Sequence, residues 1–254
     1  MTLTEVARVR LPAHAPDGGF DHAAVDRTTG RLYIAHTTND SVDVVDLNRR
    51  EFQRSLPKLS GVAGVWVDER RRLLFTSNRG EDTASLFRIT ATGESEVTRV
   101  QTGSRPNGMA FDPESQTWLI AGVGNPQIPN APPTVTIVNA NGATVMHRFR
   151  VPGRTRWATF HRATGRFYVN IADPASVVSV DVRDPSMPSS AIPIPAKGPH
   201  GLEQDPDGRR LYCACDEGVL VIIDLETGVP QRGPPLAGGP DVLWMNPRLR
   251  HLYC

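Results

Sequence analysis

Asp21, Asn107, Arg156, His200 and Asp241 hold equivalent places in successive copies of one repeated pattern, with Ala63 in the remaining copy. Each stands five residues before the turn residue that ends a short apolar run. His22 and Trp157 follow two of them, and His36 falls in a loop that the pattern brings to the same rim. Imidazole nitrogen and carboxylate oxygen are the usual ligands of a divalent cation. Asp21, Asn107, His200 and Asp241, from four copies, could hold one if the copies converge. Such an ion would polarise a carbonyl or activate water. Without a metal, Asp21, His22, His36, Asn107, Arg156, Trp157, His200 and Asp241 would line a pocket. There Arg154 and Arg156 suit a carboxylate or phosphate through paired N–H donors, and Trp157 walls its apolar part. The same polar ring has a purely structural reading, in which it bonds backbone groups and ordered water.

The pattern that must position these residues is aligned on Asp26, Asp68, Asp112, His161, Asp205 and Asn246, at intervals of 41 to 49 residues. A large apolar residue stands six positions after each: Leu32, Leu74, Trp118, Phe167, Leu211 and Leu252. Repeats of about 40 to 50 residues built from short β-branched runs are the signature of a propeller with four strands per blade. Helical periodicity is missing almost everywhere, which excludes helical repeats of similar length. The expected fold is therefore all-β, a β-propeller of four-stranded antiparallel blades over one domain, residues 1–254. Five blades are complete and a sixth is partial.

In such a blade the strands A to D run outward from a central channel. The D–A and B–C loops emerge on one face, the A–B and C–D turns on the other. The candidate ring lies on the D–A/B–C face, and His14, His147, His161 and His251 are expected off it. His161 takes the place of the acidic turn residue of its copy, which argues a turn role. The loop within Gly122–Val135 is the longest polar, proline-rich segment and lies on the ring face, suited to a lid, a partner contact or a plain surface insertion.

The lead-ins Arg105–Pro113 (RPNGMAFDP) and Gly198–Pro206 (GPHGLEQDP), with Gly30–Leu47 (GRLYIAHTTNDSVDVVDL) and Gly208–Leu225 (GRRLYCACDEGVLVIIDL), resemble the YVTN-type repeat of YncE-like bacterial β-propellers. The resemblance runs from about Phe20 to Cys254. It implies architecture and leaves activity open, since these repeats serve binding proteins, lactonases, lyases and electron-transfer subunits. Relatives mostly close seven blades, which implies a chain truncated at its C-terminus. Arg154–His161 (RTRWATFH) departs from the lead-in pattern. Glu5–Leu11 (EVARVRL) alternates like a strand and is expected to sit at a sheet edge.

The chain carries 28 basic and 27 acidic residues, net +1, which removes the electrostatic case for a nucleic-acid partner. No run is long and apolar enough for a membrane span, and no signal peptide is evident. As given, the chain reads as cytoplasmic, or periplasmic if a leader is missing, and as a monomer when full-length. Cys213, Cys215 and Cys254 imply no disulfide framework. Nucleophile-elbow, phosphate-loop, His-Glu-x-x-His and EF-hand motifs are absent. The primary expectation is a binding or scaffold propeller that meets a small molecule or partner protein on its D–A/B–C face. The alternative is a metal-dependent lactonase, hydrolase or lyase using the same ring and a divalent cation.

Overall fold

The computed structural model describes residues 4–14, 17–188 and 190–254. The chain divides into two compact units, Met1–Gln101 and Thr102–Cys254. The first holds two four-stranded antiparallel sheets: β1 (Ala23–Asp26) to β4 (Glu51–Leu56), through β2 (Arg31–His36) and β3 (Ser41–Asp46); and β5 (Val62–Asp68) to β8 (Glu94–Gln101), through β6 (Leu73–Asn78) and β7 (Thr83–Ile89). The second holds three more and a start. These are β9 (Pro106–Asp112), β10 (Thr117–Gly122), β11 (Thr134–Asn139) and β12 (Thr144–Arg150); β13 (Thr155–His161), β14 (Arg166–Ile171), β15 (Ser176–Asp181) and β16 (Ser190–Pro193); β17 (Pro199–Gln204), β18 (Arg210–Cys215), β19 (Val219–Asp224) and β20 (Pro230–Pro235); and the pair β21 (Trp244–Asn246) and β22 (His251–Tyr253). Every sheet pairs its strands in chain order, as four-stranded blades do.

The second and third strands of the five four-stranded blades are largely buried, and runs such as Val-Val-Ser-Val are continuous rather than alternating. The cores lie between neighbouring blades. Leu119, Ile137 and Val135 of the third blade meet Phe167, Val169 and Ile171 of the fourth. Tyr168 and Val177 of the fourth meet Leu211, Cys213, Val219 and Ile223 of the fifth. In the first unit, Tyr33, Val42 and Val44 pack with Val62, Val65, Leu74 and Phe87. Within each unit a blade is thus a layer whose apolar face is covered by its neighbour.

The acidic residue of each turn folds that turn. Asp26 accepts hydrogen bonds from the Thr28 amide at 2.9 Å and the Thr29 hydroxyl at 2.6 Å. Asp112 accepts from the amides of Glu114 and Ser115. His161 does the same with imidazole: its Nδ1 lies 3.0 Å from the Thr164 hydroxyl and accepts the Thr164 amide at 3.3 Å. Its replacement of aspartate is therefore a change of turn chemistry, as expected.

Two expectations fail at the N-terminus. The described residues of Glu5–Leu11 form no strand; the paired carboxylate and guanidinium of Glu5 and Arg8 stand in solvent, with nothing buried to fix a register. His14, expected away from the rim loops, instead places its Nδ1 3.0 Å from the Nε2 of His36.

Candidate ligand-binding site

The site residues owe their positions to a backbone irregularity that recurs at the start of the first strand of a blade. Between β17 and β18, Pro199 pairs with Cys215 and Leu202 with Cys213, so His200 and Gly201 together face the single residue Ala214. The same slip lies between Thr155 and Ala158 against β14, which carries Arg156 and Trp157. It recurs in β9 against β10, where Asn107 and Gly108 stand between Pro106 and Met109. A β-bulge breaks the two-residue period and turns a side chain out of the sheet. Here it aims Asn107, Arg156 and His200 along the rim.

A bulge leaves carbonyls without ladder partners, and the second blade strand supplies one remedy. The Asn170 side-chain amide, fully buried in β14, donates to the His200 carbonyl at 2.9 Å and to the Gly201 carbonyl at 3.1 Å. The glycine after the site residue has a separate cause. A Cβ at Gly108 would lie 2.3 Å from the Arg156 carbonyl, and one at Gly201 would lie 2.9 Å from that of Asp241. Glycine at these places lets the next blade come close. In the fourth blade Trp157 occupies that place and packs, half-buried, against the fifth-blade core. Its ring is engaged in packing.

His200, Arg156, Asp216 and Asp241 converge. His200 Nδ1 lies 2.8 Å from Asp216 Oδ1, and Nε2 lies 2.6 Å from Asp241 Oδ1. Arg156 approaches the same ring edge, with Nη1 3.1 Å from Nε2, and its Nη2 lies 3.6 Å from Asp216 Oδ2. The Asp216 loop is drawn in by its amide, which donates to the Gly198 carbonyl at 2.8 Å. Gly198 has φ +66, and a Cβ there would sit 2.6 Å from Asp216 Oδ2. Burial pushes the His200 imidazole toward its neutral form, but hydrogen bonds to Asp241 and Asp216 outweigh it, and the pKa is raised despite the Arg156 charge. Only imidazolium can donate from both nitrogens. When the ring loses its proton, Nε2 becomes an acceptor, and Arg156 is the donor placed to fill it. The carboxylates face outward: Asp241 is 64% exposed and Asp216 44%, against 17% for His200 and Arg156.

The remaining expected residues are placed differently. Asp21 and His22 lie in the first unit, where Asp21 accepts from Arg79 at 3.0 Å and His22 is buried. His36 is wholly buried; its Nδ1 is 2.8 Å from Asp43, which also accepts from Ser55 at 2.6 Å. Phe20 stands 4.3 Å from the His36 ring, centroid to centroid. Among the described residues, no group of three or more His, Cys, Asp or Glu is placed to hold a metal ion. Within the second unit, His200 is bracketed by Asp216 and Asp241 through both nitrogens, which is an ion-pair geometry. Asp216 is absent from the candidate residues named from the repeat, and the structure adds it beside His200. The signal lay in the repeat, since Asp216 opens the loop after the strand that faces the His200 bulge. His14 lies outside the repeat, and no pattern marks it.

No protein-family model matches the chain, and no curated protein matches it. Solved structures do. Hydrazine synthase of Kuenenia stuttgartiensis aligns with TM-score 0.79 at 15% identity, over 95% of this chain and 74% of that one. A chain of the nidogen/laminin complex aligns with TM-score 0.67 at 14% identity, over 95% and 85%. No helix among the described residues is long and apolar enough to cross a membrane. At such low identity the likeness speaks for fold alone, and with the repeated sheets it identifies the chain as a β-propeller of five four-stranded blades and a partial sixth.

Proposed function

We propose that this chain is a binding propeller of the YVTN type, and that its D–A/B–C face receives a small ligand or a partner's side chain at the His200 cluster. The carrying observation is the convergence of Arg156, His200, Asp216 and Asp241 from the fourth, fifth and sixth blades. The two cations are recessed and internally paired, and the two carboxylates stand outermost. The group they suit is cationic: an amine, an amidinium or a lysine or arginine side chain. Imidazolium beneath them keeps Asp216 and Asp241 from repelling one another.

The test is a thermal-shift screen of amine- and guanidine-bearing small molecules on the parent and on Asp216→Asn/Asp241→Asn. The reading requires hits that the double variant loses and that neutral isosteres of the same compounds do not reproduce. A screen in which every stabilising compound acts equally on both proteins overturns it.

A further inference from the structure

A cavity of about 530 Å³ lies under the proline-rich loop of the third blade, and its lining shares no residue with the His200 cluster. Its polar wall carries Arg105, Arg150 and Arg154; its apolar wall comes from Val123, Ile128 and Pro132. No aspartate or glutamate is among its described lining residues. The chain as a whole is nearly neutral, at net +1, so three arginines on the lining of one cavity are a local concentration rather than general basicity.

The loop is built to stay in place. Its amides bond within it, Asn125 N to the Ala131 carbonyl at 2.8 Å and Ile128 N to that of Asn125 at 3.1 Å. Its neck closes where Gly124, at φ +73, lets the returning chain pass: a Cβ there would lie 2.6 Å from the Pro133 nitrogen. The neck is tied to the Arg105 segment, since Val123 N donates to the Arg105 carbonyl at 3.0 Å and Gly124 N to that of Ser104 at 3.1 Å. Val151 N, next to Arg150, donates to the Pro133 carbonyl at 3.1 Å. Two of the three arginine-bearing segments are thus hydrogen-bonded to the loop ends. Arg150 and Arg154 are exposed and Arg105 is half-buried.

We infer that this cavity is a binding site for a small oxyanion joined to an apolar body, the anion meeting the arginines and the body lying on Ile128 and the proline wall. Planar guanidinium forks match carboxylate and phosphate oxygens, and the volume falls within the range of small-molecule sites. The site differs from the His200 cluster in place and in charge, so either can fail without the other.

The test is calorimetric titration of the full chain with phenyl phosphate, benzoate, inorganic phosphate and phenol. Phenyl phosphate or benzoate is expected to bind more tightly than phenol by at least about tenfold, and raising salt to about 0.5 M should weaken it. Which of the two binds better distinguishes a phosphate site from a carboxylate site. Arg150→Ala/Arg154→Ala should lose about tenfold or more in affinity, and Arg154→Gln, which keeps most of the side chain's bulk, should lose part of it. Asp216→Asn/Asp241→Asn should bind as the parent does. The proposal is overturned if neither anion binds at about 10 mM, if phenol binds equally, or if folded arginine variants keep parental affinity.

Discussion

Asn170 joins the fold to the rim, and replacing it tests that link. The bulge takes the His200 and Gly201 carbonyls out of the β17–β18 ladder, and the Asn170 amide is the donor that meets both. In Asn170→Ala the Gly201 carbonyl is left buried without that donor, at a cost of about 1–3 kcal/mol. Losing the bond to the carbonyl of the partly buried His200 adds about 0.5–1 kcal/mol. The expected total is about 1.5–4 kcal/mol, a fall in melting temperature of about 3–16 °C for a chain of this size. Asn170→Asp is closer in shape but worse in chemistry. Its carboxylate would point at two carbonyl oxygens, and it should be less stable than the alanine variant at neutral pH. Urea unfolding gives the energies. Histidine NMR titration gives the second readout, since a loosened bulge should let the His200 midpoint fall toward its ordinary value. The reasoning is refuted if aspartate is tolerated as well as alanine and the His200 midpoint stays where it was.

Other consequences of the structure can be measured as directly. The His200 proton should persist above the ordinary histidine range, and Asp241→Asn should bring its midpoint down by NMR. Because the folded pKa is raised, the stabilisation from this proton is full below about pH 6.5 and is lost as pH rises through the folded value; an Asp241→Asn variant should show a flatter stability profile across that window. Gly108→Ala drives a Cβ to within 2.3 Å of the Arg156 carbonyl; overpacking against backbone should cost at least about 3 kcal/mol in urea unfolding, whereas Gly228→Ala, with nothing within 4 Å but φ +70, should cost only about 1 kcal/mol from backbone strain. Glu94, whose side chain is fully buried between Arg31 at 3.1 Å and Arg54 at 2.7 Å and which accepts from the Tyr33 hydroxyl at 2.7 Å, should cost about 3–5 kcal/mol when cut to alanine, read by chemical denaturation.

The repeat was legible because each copy must solve the same problem. A strand buried on both faces needs an unbroken apolar run, and the turn after the first strand needs an acceptor, so Asp26, Asp112 and Asp205 hold the same place in their copies and mark the blades. Even the exception could be read, because His161 also offers an acceptor to its turn. Asn107 and His200 each stand before a lead-in glycine in the sequence, and the structure gives both of those places a bulge. What the sequence could not supply was pairing. His36 and His200 look alike as rim histidines, yet one is sealed beside Asp43 and the other lies between two outward carboxylates. That difference arises from the neighbours that packing brings to each ring. The bulge that turns His200, the Asn170 amide that completes it and the arginines that gather under the proline-rich loop likewise join residues distant in sequence. Strand patterning and turn chemistry act within a few residues and are written locally. Which side chains share a site depends on how blades stack and where ladders slip, and those are properties of the folded chain.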